Sequence, residues 1–197
     1  MPQIFKKILF ALSLLVATAV NAQLSIEITG AGANRIPVAI ANFAGETAAA
    51  QVVTSTVRAD LERSGLFKLI DPAGTTLDEN AQVNFADWKG RGADALAAGS
   101  VTRAPDGRMQ ARFRLYDTQK QVALGGAVYV TGNDQLRAAG HRIADYIYEK
   151  LTGEKGVFST RIAYVVKSGG QFKLQIADAD GQGAVTALSS TEPIISP

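Results

Sequence analysis

The stretch IPVAIANFAGETAAAQVVTSTVRADLERSGLFKLID, residues 36–71, decides the fold class. Ile36 to Phe43 form a nearly unbroken apolar run, the composition of a strand buried on both faces rather than on one. From Thr47 the period changes. Val53, Val57 and Leu61 recur four apart and make one stripe of a helix. Gly65 follows as a stop, because glycine accepts the left-handed conformation in which helices end. Leu66 to Ile70 then read as a second strand, closed by Asp71-Pro72. A strand, a helix and a strand in succession define an α/β unit.

The pattern continues outward in both directions. Before it, Leu24, Ile26 and Ile28 alternate in LSIEITG, which reads as a strand, and GAGANR breaks it. After it, residues 73–84 are small and polar and read as a loop, followed by a short helix over Phe85–Lys89. ADALAAGSV is another buried-strand candidate. Pro105-Asp106-Gly107 is a turn, and the alternation after it puts Met109, Ala111, Phe113 and Leu115 on one face of a strand. Gln121–Thr131 is its expected hairpin partner. Asn133 or Asp134 can cap a long helix with the stripe Leu136, Gly140, Ile143, Ile147 and Leu151, ended by Gly153.

A different texture begins after Gly156. RIAYVV, FKLQIAD and AVTALSS are short strands separated by Ser168-Gly169-Gly170 and Asp180-Gly181, a meander of the kind that opens an all-β unit. Three such strands do not make a stable domain alone. The expected organisation is therefore an N-terminal mixed α/β domain with two main helices over residues 23–155, and an incomplete all-β unit over 156–197.

The first 22 residues are set aside as a secretory signal peptide. Lys6 and Lys7 precede an apolar run from Ile8 to Val20, and Val20-Asn21-Ala22 supplies a small-residue cleavage site. The run is shorter than the ~20 residues a spanning helix needs. Those lysines account for two of the 20 basic residues, so the remaining 18 balance the 18 acids. No charge imbalance then points to nucleic acid or to an anionic membrane. Cysteine is absent, which removes disulfides and lipid attachment at the cleavage site, so an exported, periplasmic chain with no membrane insertion is expected.

No catalytic constellation assembles from the residue types present. His141 is the single histidine, with Arg137 and Asp145 one turn to either side. It could act as a base oriented by Asp145, but a solvated helix face with paired charges accounts for the same spacing. A zinc site lacks ligands. Gly30–Arg35 resembles half of a dinucleotide fingerprint without its third glycine or its helix, and Asp178-Ala179-Asp180-Gly181 lacks the later ligands of a calcium loop. Neither cofactor nor metal is expected. Arg108, Arg112 and Arg114 share the polar face of one strand with Tyr116 beyond, an arrangement that would suit a polyanion, against the plainer reading of a solvated sheet face.

Several segments together resemble the TolB family of the Tol-Pal system: IPVAIANFAG (36–45), ADLERSGLFKLID (59–71), GADALAAGSV (92–101), LYDT (115–118) and, most specific, GHRIADYIYEKLTGEKGVFSTRIAYVV (140–166). The resemblance implies a periplasmic, non-enzymatic interaction protein with an α/β domain followed by a six-bladed β-propeller, of which this chain carries an incomplete first blade. It implies a role in outer-membrane integrity and in envelope constriction at division. It also implies contact with TolA through the mature N-terminal segment, here Gln23, Leu24, Ser25, Ile26, Glu27, Ile28, Thr29 and Gly30. The family's Pal-binding positions lie in the propeller and have no counterpart here, so Pal binding is not carried over. Ile194 and Ile195 are read as residues that the next propeller strand would bury.

Overall fold

The structure is a computed structural model and describes residues 35–195. The LSIEITG strand and the signal peptide lie outside the described residues.

The run at residues 36–45 forms two strands, β1 (Ile36–Ile40) and β2 (Asn42–Gly45), instead of one. Both lie parallel to β5 (Ala95–Arg103), but their registers differ by one residue: Ile40 faces Ala97, whereas Ala44 faces Ser100. The extra residue is a bulge, which a continuous apolar run cannot announce because its composition is the same on both sides. Helix α1 (Thr47–Arg63) follows, then β3 (Phe67–Ile70), which pairs parallel with β1. The loop beyond contains a two-residue strand, β4 (Thr76–Leu77), pairing with β2, and leads to the short helix α2 (Phe85–Gly90). Asn84 caps α2 by accepting from the Asp87 amide.

The second half of the sheet is antiparallel. β6 (Met109–Asp117) pairs with β5, and β7 (Val122–Thr131) pairs with β6. A 3-10 turn over Asn133–Gln135 enters helix α3 (Leu136–Thr152), where no side chain caps the start. Gly153, with φ of 82°, closes it. Three antiparallel strands complete the described chain: β8 (Arg161–Ser168), β9 (Gln171–Asp178) and β10 (Val185–Ser190), in the order β10-β9-β8.

Around β1 the large sheet is buried on both faces, which explains the apolar run. Val38 and Ile40 point into a core shared with α1 and α3, through Val53, Val57, Leu61, Ile143 and Ile147. Ala39 and Ala41 point the other way, into a smaller core with Leu96, Tyr116 and Trp88 under α2. The two main helices touch at Gly140. A Cβ there would stand 2.7 Å from Thr56 Cβ, so glycine is what permits this approach. Among the described residues, no helix is long and apolar enough to cross a membrane.

Candidate interaction site

The proposed partner-binding residues Gln23–Gly30 lie outside the described residues. The arginines lie within them. Arg108 is exposed and paired with Asp106. Arg112 donates to Thr102 Oγ1 at 3.1 Å and to the Gln110 side chain. Arg114 is exposed and has no partner among the described residues. Arg112 and Arg114 line a depression of about 640 Å3 with Glu79, Gly125 and Gly126. Tyr116 is not presented beside them: α2 and its flanking loop cover it, its ring lies edge-on to Phe85, and its hydroxyl donates to the Glu79 carbonyl. The sheet face is thus basic on β6 but without the aromatic platform that the strand alone suggested.

His141 overturns the expectation of a solvated helix face. It is 2% exposed. Its Nδ1 lies 2.6 Å from Oδ2 of Asp60, a carboxylate fully buried on α1. An ionised carboxylate only accepts, so Nδ1 carries the hydrogen in this contact. Its Nε2 lies 3.5 Å from Arg137 Nη2 and 3.9 Å from Asp178 Oδ2 at the end of β9. Arg137 is bonded to Asp180 in the turn after β9, and Arg63 to Asp60. The reason for the difference is long-range. The turn that follows β9 lies over the side of α3 that the helix alone would leave to water.

Asp145 does not orient His141 either. Its carboxylate accepts the amides of Phe158 at 2.7 Å and Ser159 at 3.0 Å, holding the segment that leaves α3. Both ring nitrogens of the enclosed His141 thus face groups of the protein itself, Asp60 on one side and Arg137 and Asp178 on the other.

The chemistry of the cluster can be read from its donors. His141, Asp178 and Asp180 place ligand atoms within 4.8 Å of one another, a set that would suit a divalent ion. Arg137 already stands among them as the cation: it is bonded to Asp180, and its Nε is buried without a partner. Burial alone would push the Asp180 carboxyl up, but the Gln182 amide and the Arg137 guanidinium outweigh it and hold the carboxyl below its ordinary range. The Asp-Ala-Asp-Gly segment is closed by its own backbone, with Gly181 N bonded to Asp178 O at 2.8 Å and Asp178 N to Gln182 O at 2.9 Å.

Sequence reasoning missed Asp60, Arg137 and Asp178 as a group. The available signal was Asp60 itself, a carboxylate directly beside Leu61 on the stripe that Val53 and Val57 bury.

The fold and this cluster define a class: an α/β domain whose last helix is joined by charged contacts to propeller-like strands. A family profile described as the TolB amino-terminal domain matches residues 24–124, and one described as the TolB beta propeller domain matches residues 148–197. The chain belongs to the TolB family. The Tol-Pal system protein TolB of Dechloromonas aromatica (strain RCB) is 74% identical over 197 residues, covering 100% of this chain and 46% of that protein. The protein of the same description from Aromatoleum aromaticum is 56% identical over 193 residues, covering 98% and 45%. The crystal structure of TolB from Acinetobacter baumannii superposes with a TM-score of 0.72 at 35% identity, over 87% of this chain and 43% of that one. The chain therefore spans about half the length of the relatives it matches.

Proposed function

We propose that this chain is a non-enzymatic, periplasmic interaction protein of the Tol-Pal system, supporting outer-membrane integrity and envelope constriction during division. The observation that carries this reading is the 74% identity over all 197 residues to a Tol-Pal system protein. The enclosed His141 supports the non-enzymatic part, since the single histidine is 2% exposed and engaged by Asp60. Residues 1–22 act as the export signal, residues 23–155 form the interaction domain, and residues 156–197 begin the propeller. Gln23–Gly30 contact TolA. The alternation of Leu24, Ile26 and Ile28 next to a glycine-rich link suits a segment that adds as a strand to a partner's sheet edge. Pal binding is not assigned to this stretch of chain.

Isothermal titration of the chain from Gln23 onward against the TolA C-terminal domain tests the reading. Saturable heat is expected, and its loss when residues 23–33 are deleted. Absence of heat with the intact segment, or unchanged binding after its deletion, overturns the assignment.

A further inference from the structure

The three-stranded sheet is joined to the rest of the molecule by little apolar burial. Of the residues in β8, β9 and β10, Ala177 is the one that is buried. Val185 and Leu188 are exposed, and the apolar residues of β8 and β9 other than Ala177 are half-buried or exposed. Apolar area of that size does not fix a sheet in place by itself. The polar contacts are of another kind. Asp178 and Asp180, two residues apart in the turn that leaves β9, meet His141 and Arg137, which are one helical turn apart on α3. Behind His141 stands Asp60 on α1, itself paired with Arg63. Carboxylate, imidazole and carboxylate thus form one line from α1 through α3 to the turn. Asp60, Arg63, Arg137, His141, Asp178 and Asp180 are the charged or titratable groups meeting there among the described contacts.

We propose that this line is an electrostatic latch: it holds the β9–β10 turn, and with it the three-stranded sheet, against the α1–α3 helix pair, and it releases when the turn's contacts to Arg137 and His141 are broken. Asp60, His141 and Asp180 are largely enclosed, which makes a missing partner costly, while Arg137 and Asp178 keep about a third of their side chains in reach of water. The device is also selective. The α/β core has its own apolar packing through Val53, Val57, Ile143 and Ile147, and the outer half of the latch, Arg137, Asp178 and Asp180, lies outside it. Release therefore frees the sheet without unfolding the domain.

The direction of the pH response follows from Asp180. Its carboxyl is held below its ordinary range in the fold. Its contribution is complete above the unfolded value and is lost as pH falls through the lower, folded one. The latch is closed at neutral pH and opens in acid.

Amide hydrogen exchange on the full chain tests this, with Asp178→Asn/Asp180→Asn and Arg137→Gln beside the unaltered protein. These variants sit on the turn and on the helix surface facing it, so the α/β core is left to fold. Protection in β8, β9 and β10 is expected to fall at least about tenfold, with β5 and β6 unchanged. Acid should reproduce the loss in the unaltered protein, after correction for intrinsic exchange rates, and add little in the double variant. Unchanged protection of β8–β10 overturns the proposal, and so does an equal loss in β5 and β6, which would make the cluster part of the common core. Selective loss in the variants without any selective loss in acid overturns the pH response.

Discussion

Asp60 occupies a helix position that the neighbouring Val57 and Leu61 mark as core, and it is fully buried there. A carboxylate survives in such a place only if its charge is met, and His141 and Arg63 meet it. Removing one partner leaves the other enclosed and uncompensated. We expect His141→Leu or Asp60→Leu alone to cost about 3–5 kcal/mol in urea unfolding. The double substitution should cost less than the sum of the two by roughly 1 kcal/mol or more, because the pair goes together. Strict additivity would show that the two side chains are not coupled. At this scale the sequence was a partial guide. Arg137, His141 and Asp145 do share one side of α3, but each has a different partner far along the chain, and helical spacing carries no information about those partners.

The elements themselves were largely legible, because the signals that specify them are local. Val53, Val57 and Leu61 do form the buried stripe of α1, and Met109, Ala111, Phe113 and Leu115 do face the core from β6. The break between β1 and β2 was not, since it depends on where β5 lies. Arg58 reaches from α1 to that break, donating to the Ile40 carbonyl and to Asn42 Oδ1 at 3.0 Å. Contact between the helices depends on Gly140, which looks in sequence like one more member of an apolar stripe. We expect Gly140→Ala to destabilise by about 1–3 kcal/mol in spite of alanine's better helix propensity, because the added methyl meets Thr56 with no space to enter. A thermal melt at or above that of the unaltered chain would show that α1 and α3 can separate freely.

Over the whole molecule, the change from an α/β texture to short strands after Gly156 is visible in the pattern, and so is the class of each sheet. What joins them was not visible, since Asp178 and Asp180 read as turn residues and nothing more. The three-stranded sheet leaves apolar side chains in water, with Val185 67% and Leu188 51% exposed. Exposed apolar residues on an edge strand favour association between copies. Replacing both with lysine should reduce light scattering at high protein concentration while changing stability by less than about 0.5 kcal/mol per site. Scattering that is unaffected would assign the association, if present, to another surface.

The carboxylate of Asp145 has a consequence for how the chain assembles during synthesis. Its two amide donors belong to Phe158 and Ser159, and Phe158 packs edge-on against Tyr148 in the core that also holds Phe67. The α/β domain therefore emerges from the ribosome with its last helix written but its last bonds unmade. Its final acceptors wait for residues that come after the helix has ended, and His141 waits longer still, for Asp178. A chain released early would keep every strand of the large sheet and still be an unfinished domain.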